Sequence, residues 1–213
     1  MIIKRFVSSF ILFISIVSLM ISQIEDGEFS ALKSPEGVMI VYNNPGAAFS
    51  IDIKCRSMKE IEKEQMIFIF DGKVLQFTPV PIFVFYPDAP ANPPDSLVLL
   101  KHRINEMDYI RQLINKDVTP QSDNFLTKSG KLCYFWEFDI PGLADDTLST
   151  RVIKQMYLTT RINNRVLMIS SAVMRMNNRD ELRKFIKGIA ETIKISSKSF
   201  DLNKIKDSLE VKK

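Results

Sequence analysis

Met66-Ile67-Phe68-Ile69-Phe70-Asp71-Gly72-Lys73-Val74-Leu75-Gln76-Phe77 reads as two short strands around a two-residue turn. Asp-Gly accepts the positive torsions of a tight hairpin, and apolar β-formers flank it on both sides. An antiparallel sheet is therefore the frame to test on the rest of the chain. On the N-terminal side, Val38–Tyr42 and Ala48–Cys55 form a second strand pair around Asn43-Asn44-Pro45-Gly46. Pro-Gly suits the centre of a type II turn, because Pro presets one torsion and Gly accepts the positive one. The charged stretch Arg56–Gln65 between the hairpins reads as a wide loop or a short helical turn, and residues 23–37 as a polar, irregular lead-in.

On the C-terminal side, Ile82–Tyr86 is expected to add a strand. Pro81, Pro87, Pro90, Pro93 and Pro94 then stop strand pairing, since proline lacks a ladder donor. Asp95 or Ser96 can cap a helix whose apolar stripe is Leu97, Leu100, Ile104, Met107, Ile110 and Ile114, at steps of three and four. After a polar loop, Lys131–Ile140 alternates as a strand and Pro141-Gly142 ends it, with Leu143–Thr150 expected as a surface excursion. Val152–Ile162 and Val166–Met174 form a long hairpin about Asn163-Asn164. Asn178 is placed to cap a second helix, with Glu181 reaching back in a capping box. Its apolar face is Leu182, Phe185, Ile186, Ile189 and Ile193. The sequence of hairpin, hairpin, helix, strand, hairpin, helix defines an α+β layered domain over 38–195. A basic tail, 196–213, follows; Leu202, Ile205 and Leu209 could make a weak third helix there, but a frayed end is the expectation.

Composition bounds the function. Of 213 residues 46% are hydrophobic and 25% charged, which is ordinary for a globular chain. Residues 1–22 stand apart: Lys4 and Arg5 precede an apolar run from Phe6 to Ile21 that is broken only by serines. This fits a secretory signal peptide cleaved after Ser22, or else an uncleaved N-terminal anchor; the run is short for a spanning helix. Either way the domain is expected to be exported, periplasmic or secreted, or tethered to a membrane through residues 6–21. The formal net charge of +4 falls by the two charges of Lys4 and Arg5 if the segment is removed. No strong field for nucleic acid remains, and the basic residues of both helices are interspersed with acids. In an oxidising compartment Cys55 and Cys133 either pair, contributing about 4.5 kcal/mol on the chain-entropy model, or stay as two buried thiols acting as small hydrophobes.

Catalytic and metal signatures are sparse. The one His, His102, lies between Lys101 and Arg103 and is expected on a solvated helix face. Glu137 and Asp139 share one face of a strand, and alternation with Trp136 and Phe138 places them on its polar side. Asp145-Asp146 reads as a solvated turn. The pairs Ser57/Lys59 and Ser129/Lys131 have no specific geometry. No nucleophile elbow, zinc-binding helix motif, phosphate loop or dinucleotide fingerprint is present. The expectation is a protein without catalytic residues, metal or cofactor.

Phe83, Phe85, Tyr86, Pro87, Pro90 and Pro93 are the candidate partner-binding residues. A stiff proline-rich loop leaving an aromatic strand loses little entropy on docking, and aromatics make good anchors. The same aromatics could instead fill the core beneath an ordinary crossover loop.

The segments Lys131-Leu132-Cys133-Tyr134-Phe135-Trp136-Glu137-Phe138, Lys154-Gln155-Met156-Tyr157-Leu158-Thr159-Thr160 and Asn164-Arg165-Val166-Leu167-Met168-Ile169-Ser170-Ser171-Ala172 resemble the PsbP-like superfamily. So do the closing helix Arg179–Ile195 and the opening Tyr42-Asn43-Asn44-Pro45-Gly46-Ala47-Ala48-Phe49-Ser50-Ile51. The resemblance implies an antiparallel β-sheet sandwiched by helices. It also implies a non-catalytic accessory or adaptor that binds a protein partner at the cell envelope, with no site residues to carry over. The alternative is a carrier of a small apolar ligand, motivated by fifteen Phe and ten Met.

Overall fold

The computed structural model describes residues 27–62, 65–141 and 151–210. The N-terminal segment 1–22 and the excursion expected at Leu143–Thr150, with Asp145-Asp146, lie outside the described residues. Eleven strands and four helices follow in the described chain: β1 (Glu28–Ser34), β2 (Gly37–Asn43), β3 (Ala48–Lys54), β4 (Met58–Glu62), β5 (Ile67–Phe70), β6 (Lys73–Pro81), α1 (Ile82–Phe85), α2 (Asp95–Ile114), β7 (Gln121–Leu126), β8 (Leu132–Asp139), β9 (Val152–Ile162), β10 (Arg165–Met174), α3 (Arg179–Ala190), β11 (Lys194–Ser196) and α4 (Leu202–Glu210). The fold is α+β and all its strand pairs are antiparallel.

Seven strands form the larger sheet, in the order β4-β5-β6-β10-β9-β8-β7, and four form the smaller, β1-β2-β3-β11. Turn chemistry sets the registers. Asp71 and Gly72 have φ of 47° and 80° at the β5–β6 turn, and Asn163 has φ 51° at the β9–β10 turn. Gly46, φ 80°, closes the β2–β3 turn with Ala47 N–H donating to the Asn44 carbonyl at 3.1 Å. At Gly37, φ 152°, a Cβ would stand 2.2 Å from the Ile53 carbonyl oxygen, so no other residue fits without moving β3.

Between its exposed edge strands β4 and β7, the larger sheet is buried on both faces. One face packs on α3 and the smaller sheet, joining Val38, Ile40, Phe49, Ile51 and Ile53 to Phe68, Phe77, Phe135, Leu158, Leu167 and Ile169, with Leu182, Ile186 and Ile189 from α3. The other face lies under α1 and α2, where Met107 and Ile110 meet Trp136, Phe138 and Tyr157. There Phe85, Val98 and Leu99 also meet Val80 and Val166.

Several expectations are corrected. The lead-in contains β1, paired with β2 along its whole length, because Pro35-Glu36 and the left-handed Gly37 turn the chain back. Arg56–Gln65 contributes the edge strand β4, and the polar loop after α2 contributes β7. The closing helix stops at Ala190 rather than running to Ile195, and Lys194–Ser196 forms β11 beside β3; the tail beyond it is ordered into α4, which buries Leu209 against β1. Ile82–Tyr86 is not a strand: Ile82 N–H donates to the Asn164 carbonyl at 3.0 Å, and one helical turn follows.

The capping expectations are half met. Asn178 Oδ1 accepts from the amides of Asp180 and Glu181, both at 3.1 Å. Glu181 does not reach back; its carboxylate meets Lys73 Nζ at 3.0 Å instead. Neither Asp95 nor Ser96 caps helix α2, which starts at Asp95 itself with the Pro94 carbonyl accepting from Leu97 and Val98. Asp95, released from capping, pairs with Arg161.

Candidate functional site

Helix α1 sorts its four residues by spacing. Ile82 and Phe85, three apart, turn inward and are buried, while Phe83 and Val84 turn out. Phe83 is 54% exposed and Val84 37%. The loop after α1 is held at several points. Tyr86 N–H donates to the Ile82 carbonyl at 2.9 Å, and Ala89 N–H to the Tyr86 carbonyl at 3.2 Å. Arg161 Nη1 donates to the Pro93 carbonyl at 2.7 Å and to Asp95 Oδ1 at 3.0 Å. Lys101 Nζ lies 5.7 Å from the Tyr86 ring centre, and Tyr134 Oη reaches the Ser96 carbonyl at 3.4 Å.

The six candidate partner-binding residues therefore divide. Phe83, Pro87 and Pro90 are exposed on a clamped frame, Tyr86 is half-buried, and Phe85 and Pro93 are buried. Phe85 belongs to the apolar cluster beneath α2, and Pro93 serves the clamp through its carbonyl.

Under α2 the sheet presents a polar row that sequence reasoning missed. Gln76, Ser170, Tyr157 and Trp136 are successive register partners across β6, β10, β9 and β8, and all four are buried. Tyr157 stacks on Trp136, with ring centres 3.9 Å apart and planes 6° apart. The apolar stripe expected on α2 is rotated. Ile104 is 47% exposed, while His102 and Glu106 are buried among Val98, Leu99, Met107 and Ile110.

His102 is thus not a solvated surface residue. Its ring meets Phe85 edge to face, centres 5.0 Å apart at 87°, and neither ring nitrogen has a hydrogen-bond partner among the described residues. Burial pushes its pKa down to about 4, so the imidazole is neutral at pH 7. Glu106, one turn on, is pushed up to about 7 by burial. The Tyr157 hydroxyl is held above its ordinary range by burial and then by the Glu106 charge. The visible signal was the spacing: His102 and Glu106 stand four apart, on a face that also carries Val98, Leu99 and Ile110.

Glu137 is likewise buried rather than solvated. It lies on the α3 side of β8, where Arg179 donates to both carboxylate oxygens, through Nε at 3.4 Å and through Nη2. Lys154 Nζ stands 3.8 Å from Glu137 and 2.9 Å from Asp139, which is exposed. The charges balance within this cluster, and it ties the start of α3 to the sheet.

Cys55 and Cys133 are both free thiols, which leaves the paired reading unrealised here. Burial pushes Cys133 up to about 11 and, with Asp71 nearby, raises Cys55, so neither is an activated nucleophile. No group of three or more His, Cys, Asp or Glu among the described residues could hold a metal ion. Two surface cavities lie away from the loop. One of about 500 Å³ is lined by Gly27, Glu28, Asn43, Asn44, Pro45 and Ser199; another of about 200 Å³ lies between β1 and α4. No helix among the described residues is long and apolar enough to cross a membrane.

No protein-family model matches the chain, and no curated protein matches it. A similar solved structure is the solution structure of cyanobacterial PsbP (CyanoP) from Synechocystis sp. PCC 6803. It is 8% identical, with a TM-score of 0.42, and the match covers 81% of this chain and 95% of that one. The α+β architecture of two antiparallel sheets and covering helices rests on the strand pairings themselves.

Proposed function

We propose that the chain is a non-catalytic adaptor that works outside the cytoplasm, at the cell envelope, and grips a protein partner through Phe83, Val84, Pro87 and Pro90. The observation that carries this reading is the exposure of Phe83 on a turn whose backbone and loop are already fixed. An aromatic presented on a preordered frame loses little entropy on binding and is a favourable anchor. The apolar-carrier reading has less support, since Phe68, Phe70 and Phe77 pack on one another within the core. The test is crosslinking capture from an envelope extract with the full chain and with Phe83→Asp. Phe83→Asp is expected to retain the wild-type fold, read by fluorescence of the single Trp136, and to reduce capture at least about tenfold. Undiminished capture by a folded Phe83→Asp chain rejects the reading.

A further inference from the structure

The inner face of α1 rests on a buried imidazole. Phe85 occupies the inner face of α1 and meets His102 edge to face, 5.0 Å away between ring centres. His102 is 1% exposed and has no hydrogen-bond partner among the described residues on either nitrogen. An imidazolium there would lack both water and a fixed acceptor, so protonation requires that something uncover it. The neighbour that can move without breaking a sheet or a long helix is α1 with its loop: a four-residue turn tied to its surroundings through the Ile82 amide on the Asn164 carbonyl and through the Arg161 clamp, while the Tyr86 and Ala89 amides bond within it.

We propose that the Phe85–His102 contact is an acid-sensitive latch: protonation of His102 lifts α1 and the proline-rich loop and adds Phe85 and Tyr86 to the exposed apolar rim. This rests on the reading of that rim as the docking surface and supplies its regulation.

The titratable and charged groups on the elements around the Phe85–His102 contact decide whether the latch works. From α2 these are Glu106 and Tyr109; from β8, Tyr134; from β9, Tyr157 and Arg161, the latter held by Asp95; from the loop, Tyr86 with Lys101 over it. β10 presents Val166 and Met168, and α1 presents no titratable group. Glu106 opposes the latch if it is uncovered together with His102, because acid favours its buried, protonated form. Release is therefore local: the first turns of α2 and α1 part while Glu106 stays seated near Tyr157.

The experiment is hydrogen exchange on the full chain from about pH 7.5 to about pH 5, with protection corrected for intrinsic exchange. With the His102 pKa moving from about 4 when covered to its ordinary 6.5 when uncovered, protection at Ile82, Tyr86 and Ala89 is expected to fall about 30-fold. Amides of α3 are expected to keep theirs. His102→Gln and His102→Leu should each abolish the acid loss, and Glu106→Gln should leave it in place. Protection that does not change with pH in the wild type, or an acid loss that survives both His102 variants, overturns the latch. Failure of the docking reading has a different signature: the latch opens with acid, yet capture is indifferent to Phe83→Asp.

Discussion

Asn43 and Phe200 exchange two hydrogen bonds, Nδ2 donating to the Phe200 carbonyl at 3.0 Å and the Phe200 amide donating to Oδ1 at 2.7 Å. The side chain thus imitates a strand neighbour and fastens the start of α4 to the end of β2. Asn43→Ala removes both bonds and is expected to destabilise the fold by about 1–2 kcal/mol. Faster exchange in Leu202–Glu210, with β2 and β3 unaffected, would locate the loss at the α4 attachment. Uniform protection across that helix would refute the assignment.

The Glu137 cluster makes a sharper case. Removing Arg179 leaves a buried carboxylate with only Lys154 for company, so Arg179→Ala should cost about 3 kcal/mol in urea unfolding. Removing both charges together, Glu137→Met with Arg179→Met, should cost distinctly less than Arg179→Ala alone. Equal losses in the two variants would mean that Arg179 contributes packing rather than charge compensation.

His102 and Glu106 give opposite pH slopes. The lowered His102 pKa contributes stability that is present above its ordinary 6.5 and lost as pH falls toward about 4. The raised Glu106 pKa contributes stability present below its ordinary 4.5 and lost as pH rises toward about 7. Between those ordinary values the unfolded chain holds one proton on His102 and the folded chain one on Glu106, so the pair's contribution is flat. Glu106→Gln should make stability climb by about 3 kcal/mol from pH 4 to 6.5 relative to a chain lacking both groups, and His102→Leu should make it fall by a similar amount from pH 4.5 to 7. Parallel pH profiles for the two variants would contradict the burial of one or both groups.

Arg161 is the clamp whose loss should be felt in affinity more than in stability. Arg161→Gln frees the Pro93 carbonyl and Asp95, and under the docking proposal the loop would then have to be ordered on binding. Partner affinity is expected to fall about fivefold, chiefly in the dissociation rate, with a urea midpoint close to wild type. A large drop in the midpoint with unchanged affinity would show that the clamp serves the core instead.

The sequence made the architecture readable wherever turn chemistry and alternation agreed. Asp71-Gly72, Pro45-Gly46 and Asn163-Asn164 each sit at a turn of the expected hairpin, and Asn178 caps α3 through two amides. Parity was misleading for the larger sheet, because both of its faces are covered. Glu137 lies on the opposite face from Trp136, as alternation requires, but α3 makes that face interior too. On α2, leucines and valine at four consecutive positions, 97–100, allow the apolar stripe to be drawn along two neighbouring faces. The face is set by what the sheet and α1 present beneath it: Val80, Phe85 and Val166 take Val98 and Leu99, Trp136, Phe138 and Tyr157 take Met107 and Ile110, and His102 and Glu106 are carried inward with them. β1 and β7 escaped notice because their stability comes from pairing with β2 and β8 rather than from an apolar pattern of their own. Phe85 and Pro93 were grouped with the rim because loop composition does not tell which residues turn inward.

The pairing of β11 with β3 joins Ile195 to Phe49, so the smaller sheet is completed by a segment made long after the three strands it joins. The hairpin of β2 and β3 is synthesised early, with Ile40, Phe49, Ile51 and Ile53 on a face whose cover, α3, begins only at Arg179. At ordinary synthesis rates that face stays bare for roughly ten seconds. Chain production is therefore expected to depend on a holding chaperone, and truncations before Ala190 should be recovered as aggregates rather than as shorter soluble domains.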